Sequence, residues 1–240
     1  MKNILNCIFY FNDNIENMNR RFVIGDIHGC SKTLKKLLFE TCQVQKEDSI
    51  YFLGDYIDRG PNSKKVIDRI LKMKKQGYNV YPVLGNHEVL LLDSANFVQN
   101  HIVWFRNGAK STLKSFGINY AHEFKSKYID FFRSLPHYYL LDDYIIVHGG
   151  LNFSADNPLE DKESMVWIRD NFVDTNKIGG RKLVCGHTPT PIDLIIKSLQ
   201  SDKIMLDGGC VYYGRHPGLG YLVALELNSM QLFFHRNIDI

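Results

Sequence analysis

Six short polar motifs occur along the chain in an order that could hold two metal ions beside a phosphate. They supply carboxylate, amide and imidazole donors, which are ligands that divalent transition metals accept in proteins. They also supply two arginines, and a guanidinium group pairs with phosphate through two parallel hydrogen bonds. The motifs are Asp26-Ile27-His28, Asp55-Tyr56-Ile57-Asp58-Arg59, Asn86-His87-Glu88, His148-Gly149-Gly150, Trp167-Ile168-Arg169 and Gly186-His187-Thr188.

The spacing within these motifs predicts two adjacent cation sites. Asp26 and His28 are one residue apart, so at the end of a strand both side chains lie on the same side of the chain. A carboxylate has two oxygens, which allows Asp55 to bridge two cations. Such mixed nitrogen and oxygen sites favour manganese, iron, zinc or cobalt over calcium, and we expect manganese, with iron or zinc as alternatives. The other predicted ligands are Asn86, His148 and His187.

The remaining polar residues of the motifs predict hydrolysis of a phosphate ester. Two divalent cations about 3.5–4 Å apart lower the pKa of a shared water and hold the phosphoryl oxygens. Arg59 and Arg169 are predicted to complete the phosphate clamp. His87 follows a predicted ligand but is not needed as one, so we expect it to protonate the leaving oxygen, with Asp58 fixing its orientation. The mechanism requires no serine or cysteine nucleophile, so no covalent intermediate is expected.

Three apolar runs, at 22–24, 50–53 and 80–84, each stop at a glycine directly before one of the first three motifs. Helical patterns follow each run, and Ser31 is the predicted N-cap of the first helix. Successive strand–helix units predict right-handed crossovers and a mainly parallel sheet, in which ligands collect at the carboxyl ends of the strands. Pro82 predicts an edge position for the third strand.

The second half of the chain is richer in strand patterns. Residues 94–134 are predicted to be helical with breaks at Gly108 and Gly117, and Asp142-Asp143 is a predicted turn. The fold class is therefore α/β, with two packed sheets flanked by helices and the site along one edge, and every polar motif is expected to follow a strand. The later predicted strands are 138–141, 144–147, 182–185, 203–206, 221–227 and 231–234.

Length and composition predict one catalytic domain. The chain has 240 residues and is 45% apolar, and no linker or repeat divides it. Residues 21–240 are assigned to the domain. Residues 1–20 are predicted to be an N-terminal extension that the enzyme does not need, because a second methionine, Met18, lies just before the first strand.

Charge and cysteine usage limit the partners. The net charge of +3 is too small for a typical nucleic-acid surface, and no apolar run approaches the length of a membrane helix. The five cysteines form no Cys-x-x-Cys pair, which predicts a reducing, cytoplasmic compartment. Cys30 and Cys210 adjoin the site motifs and are expected to be small buried side chains rather than redox sensors. We expect no nucleic-acid, membrane or obligate protein partner.

Three segments resemble the signature motifs of the phosphoprotein phosphatase family of serine/threonine phosphatases. The two later histidine motifs, at His148 and His187, resemble its remaining metal motifs, and 104–113, 166–170 and 186–189 resemble its compact bacterial and phage members. Ala109 and Gly208 depart from that pattern, at positions where glycine and threonine are common. The three segments are Gly25-Asp26-Ile27-His28-Gly29, Gly54-Asp55-Tyr56-Ile57-Asp58-Arg59-Gly60 and Gly85-Asn86-His87-Glu88.

The resemblance implies the metallophosphoesterase fold. It also implies the same metal ligands and catalytic residues that the spacing of the motifs predicts. It implies an enzyme that hydrolyses phosphoserine and phosphothreonine, with phosphotyrosine as a further possible substrate, and a phosphoprotein or phosphopeptide as the partner. A symmetrical diadenosine tetraphosphate hydrolase, or a related nucleotide phosphohydrolase, is the alternative because it shares the metal motifs. A catalytically inactive phosphoprotein-binding relative is disfavoured, since no expected ligand or acid is missing.

Overall fold

The computed structural model describes residues 19–240, so nearly all of the predicted N-terminal extension lies outside the described residues. Each strand predicted from the sequence is present, within about two residues at either end. That residues 1–20 are a dispensable extension, and that a single domain begins at residue 21, remain predictions. The strands are β1 Arg21–Ile24, β2 Ser49–Phe52, β3 Asn79–Pro82, β4 Tyr138–Leu140, β5 Tyr144–Val147, β6 Lys182–Cys185, β7 Lys203–Met205, β8 Tyr221–Glu226 and β9 Gln231–Arg236.

The first sheet has the strand order β3-β2-β1-β8-β9. β1, β2 and β3 are parallel, as the three strand–helix units predict, whereas β8 and β9 are antiparallel additions. Pro82 ends the edge strand β3, where its missing N–H interrupts no second ladder. The strand that carries the first polar motif, β1, therefore lies in the centre of the sheet.

The second sheet has the order β4-β5-β6-β7. β4 and β5 form an antiparallel hairpin that turns at Asp142 and Asp143, as predicted, and β5, β6 and β7 are parallel. Both sheets are thus mixed, and each contributes parallel strands whose carboxyl ends carry polar motifs. The predicted α/β architecture of two mixed sheets flanked by helices is confirmed.

Alternation along β1 shows how the layers pack. Phe22 and Ile24 are fully buried among residues of the flanking helices, whereas Val23 packs between the two sheets with Leu53 and Val223. A strand that is apolar on both faces is covered on both faces, which explains the uninterrupted apolar run in the sequence. β1 is therefore fixed from both sides immediately before its polar motif.

Helices cover the outer faces. The region 94–134 is mostly helical, with the predicted interruptions at Gly108 (φ +112°) and Gly117 (φ +69°) and with further breaks at 97, 118–120 and 124–125 that were not predicted. In residues 19–240 no helix combines the length and hydropathy needed to span a membrane. The helices are α1 Ser31–Lys36, α2 Ser63–Lys75, α3 Asn86–Asn96, α4 His101–Trp104, α5 Lys110–Phe116, α6 Ser126–Arg133, α7 Lys162–Trp167 and α8 Ile192–Ser198.

Two local predictions were wrong. Ser31 is the first residue of α1 rather than its N-cap; Cys30 precedes it without a side-chain cap. The Asp239 carboxylate, which the end of the chain brings to this helix, instead accepts from the N–H groups of Lys32 and Thr33. The Trp167 motif begins at the last residue of α7 and does not follow a strand, because 162–167 form a helix whose start is capped by Asp161.

Candidate metal centre

The predicted metal ligands converge from both sheets at the carboxyl ends of their strands. Three strands of the first sheet and two of the second end beside one another, and the motif that follows each strand faces the same space. This arrangement unites residues that are up to 161 positions apart in the chain, as between Asp26 and His187. From the first sheet come Asp26, His28, Asp55 and Asn86, and from the second come His148 and His187.

The backbone of these turns is held in a left-handed conformation that side chains usually avoid. Seven non-glycine residues in the described part of the chain have a positive φ, and five of them are predicted site residues. Such conformations cost about 1–3 kcal/mol each and persist only where surrounding contacts enforce them. The concentration of strain here indicates that the side chains are positioned at the expense of local stability. The five residues are His28, Asp55, Asp58, Arg59 and His187.

The candidate ligands form two groups, one on each side of Asp55. In the larger group four atoms that can only accept hydrogen bonds face one another. Asn86 Oδ1 lies 2.9 Å from His148 Nε2 and 3.0 Å from His187 Nδ1. The two histidine nitrogens are 3.1 Å apart, and Asp55 Oδ1 lies 3.4 Å from His148 Nε2. All four side chains are buried.

The hydrogen bonds behind the two histidines direct their lone pairs toward this space. His148 Nδ1–H donates to the Leu53 carbonyl at 2.7 Å, and His187 Nε2–H donates to the Trp167 carbonyl at 3.2 Å. Burial lowers the pKa of His148, and burial lowers the pKa of His187 to about 3, so both rings are neutral. Neutral imidazoles with these tautomers offer no proton to the facing oxygens, and the resulting cluster of lone pairs fits a divalent cation.

The second donor group lies on the other side of Asp55. His28 Nδ1–H donates to the Ile57 carbonyl at 2.8 Å, which leaves Nε2 as an acceptor 3.4 Å from Asp55 Oδ2. Arg59 Nη1 donates to that nitrogen at 2.7 Å, so a positive charge already contacts this side of the site. Asp55 therefore has one oxygen toward each group, which is the position required of a shared ligand.

Asp26 lies against the turn that carries His187. Its carboxylate accepts the backbone N–H of His187, at 3.0 Å to Oδ2, and so joins the turns of the two sheets. Burial raises the pKa of Asp26, and the carboxylates of Asp207 and Asp55 raise it further. Such crowding of carboxyl groups favours a bound cation, which would compensate their charge.

His87 and Asp58 form the predicted pair. His87 Nδ1 lies 2.7 Å from Asp58 Oδ2, and both side chains are fully buried. His87 Nε2 is buried without a hydrogen-bond partner among residues 19–240 and lies 3.9 Å from Asp55 Oδ2. With Nδ1 bound to a carboxylate, the free Nε2 faces the metal-binding space next to His28 and Asp55.

The two arginines differ in surroundings. Arg59 contacts His28 as described, and its backbone N–H donates to Gly108 at 3.3 Å, so the helical segment at Gly108 lies over it. Arg169 is exposed, and its Nη1 donates to the carbonyl of His187 and to the hydroxyl of Thr188, each at 3.1 Å. Both guanidinium groups thus border the site from opposite sheets.

Comparison with known proteins assigns the family. The model of the calcineurin-like phosphoesterase family matches residues 20–225, which include the whole donor set. The chain belongs to this family. In particular, it is a metallophosphoesterase by fold and by the residues that could bind a dinuclear metal centre.

Two relatives of this phosphoesterase carry the names of dinucleotide-cleaving enzymes. The asymmetrical bis(5'-nucleosyl)-tetraphosphatase PrpE of Oceanobacillus iheyensis is 29% identical over 217 residues, covering 79% of this chain and 84% of that protein. The symmetrical bis(5'-nucleosyl)-tetraphosphatase of Wigglesworthia glossinidia brevipalpis is 46% identical, but over only 71 residues, 30% of this chain and 25% of that protein.

Solved structures agree with the fold. A candidate diadenosine tetraphosphatase has a TM-score of 0.67 at 20% identity and covers 94% of this chain and 96% of its own. A cold-active protein-tyrosine phosphatase from a psychrophilic Shewanella species has a TM-score of 0.63 at 15% identity and covers 93% and 80%. At these identities the likeness establishes the shared fold of the phosphoesterase.

The sequence predicts no role for Glu88, although the structure places it against the backbone of Asp55. Its fully buried carboxylate accepts the N–H groups of Asp55 and Tyr56, each at 2.9 Å, and that of Gly85 at 3.2 Å. Burial raises the pKa of Glu88 while these N–H groups oppose the change. A glutamate three residues after Gly85 is the capping-box spacing, and that signal could have identified it.

Asp207 is a second buried carboxyl that the sequence reasoning passed over. It follows β7, and its Oδ1 accepts the N–H of Gly209 at 2.8 Å. Burial, reinforced by the charge of Asp55, raises the pKa of Asp207 to about 7. An aspartate two or three residues after the end of a parallel strand is the signal, since Asp26 and Asp55 occupy equivalent places.

The two departures from the family pattern have different surroundings. A Cβ on Gly208 would lie 2.5 Å from the carbonyl oxygen of Tyr221, so this backbone excludes a larger residue there. Ala109 is fully buried in the core beside the helical segment. Gly208 is thus explained by the close approach of β8.

Proposed function

We propose that this phosphoesterase hydrolyses dinucleoside tetraphosphates with two divalent cations, manganese first among them. The relatives that match most of the chain are asymmetrical bis(5'-nucleosyl)-tetraphosphatases, and the symmetrical enzymes match only about a third of it. This coverage supports asymmetrical cleavage, which yields a nucleoside triphosphate and a nucleoside monophosphate. The nucleotide alternative thereby replaces the protein phosphatase as the leading candidate.

One observation carries the proposal for the chemistry. Asp55 directs one carboxylate oxygen toward His148 and the other toward His28, between two groups of acceptors that lack protons to share. The first cation would be held by Asp26, His28 and Asp55. Bound cations would lower the pKa of a water molecule and offset charge on the phosphoryl oxygens. The second cation would be held by Asp55, Asn86, His148 and His187.

The protein's own groups supply binding and proton transfer. Arg59 and Arg169 border the site from opposite sheets and would bind phosphoryl oxygens through paired N–H groups. His87 Nε2, which is buried and without a partner in the described residues, would donate its proton to the leaving phosphate oxygen. Asp58 accepts from His87 Nδ1 and thereby keeps the ring oriented.

A phosphoprotein or phosphopeptide is the second candidate substrate. The motifs around Trp104–Leu113 and Thr188-Pro189 resemble those of compact phosphoprotein phosphatases, and Arg169 is held by the Thr188 hydroxyl of the second motif. Cleavage of a phosphomonoester would use the same ligands and the same acid. Only the group attached to the leaving oxygen would differ.

A substrate panel with product identification tests the proposal. The purified protein, supplied with manganese, is incubated with diadenosine tetraphosphate, a phosphothreonine peptide and p-nitrophenyl phosphate, and nucleotide products are separated by chromatography. The expected result is a kcat/KM for the dinucleotide at least about 100-fold above that for the peptide, with ATP and AMP as products. Two molecules of ADP would refute the asymmetrical cut, and preferential peptide turnover would establish the second candidate instead.

Two controls make the assignment specific. Asp55→Asn removes the shared charge and should abolish turnover of every substrate, whereas Asp130→Asn on the exposed face of α6 should leave it unchanged. Activity that persists in Asp55→Asn would point to a contaminating hydrolase. Activity that survives exhaustive chelation would contradict metal dependence.

A further inference from the structure

The Asp58 carboxylate is bonded by three side-chain donors rather than by His87 alone. Trp104 Nε1–H donates to Oδ2 at 2.8 Å, and Thr112 Oγ1–H donates to Oδ1 at 2.6 Å. His87 Nδ1 contacts Oδ2 at 2.7 Å. All four residues are fully buried, so water does not compete for these bonds.

The direction of the Thr112 hydroxyl is fixed by its other contacts. The backbone N–H of Asp58 donates to Thr112 Oγ1 at 2.8 Å, which uses an oxygen lone pair. A hydroxyl has a single proton, and the Asp58 carboxylate can only accept, so that proton lies on the bond to Oδ1. Thr112 therefore bonds both the backbone and the side chain of Asp58.

This double attachment acts on a residue with a strained backbone. Asp58 has φ +68° and the following Arg59 has φ +66°, both in the left-handed region. Ser63 Oγ adds a contact at 3.2 Å to the same N–H. Without these contacts the backbone of Asp58 would be free to adopt a commoner conformation, and its carboxylate would turn away from His87.

Both donors come from one helical segment that does not itself contribute a predicted ligand. Trp104 ends α4 and Thr112 lies in α5, and Gly108, with φ +112°, bends the chain between them. Trp104 is packed in the core near Phe124, at 6.5 Å between ring centroids. The bend lets two residues eight positions apart reach opposite oxygens of one carboxylate.

We propose that Trp104 and Thr112 are positioning residues that hold Asp58 so that His87 presents Nε2 to the leaving oxygen. The inference rests on the proposed role of His87 as the acid. Hydrogen-bonded partners of metal-ligating residues typically change activity by about 10–100-fold when removed, and we expect the partners of the Asp58–His87 pair to act on a similar scale. A merely structural role, in which the donors satisfy a buried carboxylate, would change stability without affecting proton donation selectively.

The kinetic test compares Thr112→Val, which removes the hydroxyl, with Thr112→Ser, which keeps it. Phenyl phosphate has a poor leaving group that needs a proton, whereas p-nitrophenolate leaves without one. Thr112→Val should lower kcat for phenyl phosphate about 10-fold or more, with a smaller loss for p-nitrophenyl phosphate and little change in KM. Thr112→Ser should restore kcat. Equal losses on both substrates, or failure of serine to restore kcat, would overturn the proposal.

A spectroscopic test on the metal-free protein does not depend on activity. The Nδ1–H proton of a histidine bonded to a carboxylate resonates far downfield, and the signal of His87 is assigned by its absence in His87→Asn. We expect this signal to shift or broaden in Thr112→Val and in Trp104→Phe, and to return in Thr112→Ser. An unchanged signal in both deletion variants would refute positioning.

These two tests separate the inference from the proposed function. A wild-type protein inactive toward every phosphoester would refute the function, while the His87 signal would still decide whether Trp104 and Thr112 hold the pair. If Thr112→Val does not fold, Trp104→Phe decides by the same criteria, since it deletes the donor to the other oxygen. Thermal unfolding of each variant shows which ones are folded.

Discussion

At the scale of single residues, His87 is defined by the contrast between its two nitrogens. Nδ1 is bound to Asp58, whereas Nε2 has no partner within residues 19–240 although it is fully buried. An unpaired buried polar atom costs about 1–3 kcal/mol, and such a cost is typical of a site that a ligand completes. The absence of a partner for Nε2, beside the bonded Nδ1, therefore supports a reactive role for Nε2.

His87→Asn should slow catalysis without emptying the metal centre. We expect kcat for phenyl phosphate to fall about 100-fold or more, because general-acid catalysis typically contributes that much, and to fall less for p-nitrophenyl phosphate. Metal content by elemental analysis should stay near that of the wild type. His235→Asn, on β9, serves as the matched control. Loss of metal from His87→Asn would make His87 a ligand instead.

Asp207 gives the metal-free protein a stability term that depends on pH. Its pKa rises from 3.8 to about 7 on folding, so the folded state retains a proton that the unfolded state has lost. This contribution is fully present below pH 3.8 and disappears as the pH rises to 7. The amide in Asp207→Asn resembles the protonated carboxyl, so this variant does not lose the stabilising contribution as the pH rises.

The free energy of unfolding of Asp207→Asn, relative to wild type, should therefore increase between pH 4 and pH 7. The expected gain is roughly 1.4 kcal/mol for each unit of pKa shift, a few kcal/mol in all. Urea unfolding of both proteins in the presence of a chelator, at several pH values, measures the difference. A difference that does not vary with pH would show that Asp207 is ionised in the folded protein.

At the scale of elements, the helical segment 101–116 contacts Arg59 through Gly108, in addition to its bonds to Asp58. A Cβ at this position would lie 2.9 Å from Arg59 Cγ and 3.0 Å from Arg59 N, and the φ of +112° strains any larger residue. Gly117 also has a positive φ, but a Cβ there would meet nothing within 4 Å. Alanine substitutions at these two glycines therefore distinguish the effect of backbone strain from the effect of displacing Arg59.

Gly108→Ala should therefore reduce stability and raise KM together. We expect a loss of about 1–3 kcal/mol from strain and contact, and a several-fold higher KM because Arg59 is displaced. Gly117→Ala should cost only the strain and leave KM unchanged. Denaturant unfolding and steady-state kinetics measure the two quantities. Similar KM values for both variants would argue against phosphate binding by Arg59.

The elements were largely predictable from the sequence, whereas the contacts between distant elements were not. Apolar runs that end at glycine predicted the strands, because a strand buried on both faces must be apolar throughout. The bonds from Trp104 and Thr112 to Asp58 span 46 and 54 residues. No local pattern indicates that two side chains of one helical segment contact the turn that follows β2. Ser31 failed as a cap for the same reason: its competitor, Asp239, lies at the other end of the chain.

At the scale of the whole molecule, the site joins the two sheets. His28 and Asn86 belong to turns of the first sheet, His148 and His187 to turns of the second, and the Asp26 carboxylate bonds the His187 backbone. A cation held by both sets would bind the folded state and not the separated sheets. Binding that favours the folded state adds to its stability by mass action.

Manganese should accordingly raise the melting temperature in a concentration-dependent manner. At 100 times the Kd the expected stabilisation is about 2.7 kcal/mol. Asp55→Asn should abolish the shift, because it weakens both donor groups at once, and Asp130→Asn should retain it. Calorimetry with and without a chelator provides the measurement. A full shift in Asp55→Asn would mean that the stabilising cation binds elsewhere.

The central position of β1 has a consequence for synthesis on the ribosome. β1 carries the first site motif from the beginning of the chain, yet one of its two neighbours, β8, is made near the end. A nascent chain that has emerged only as far as β7 contains every predicted ligand, but β1 still lacks half of its hydrogen-bonded support. Hydrolytic competence should therefore arise late, after translation has passed Glu226, and a polypeptide released early would carry the motifs without the reaction.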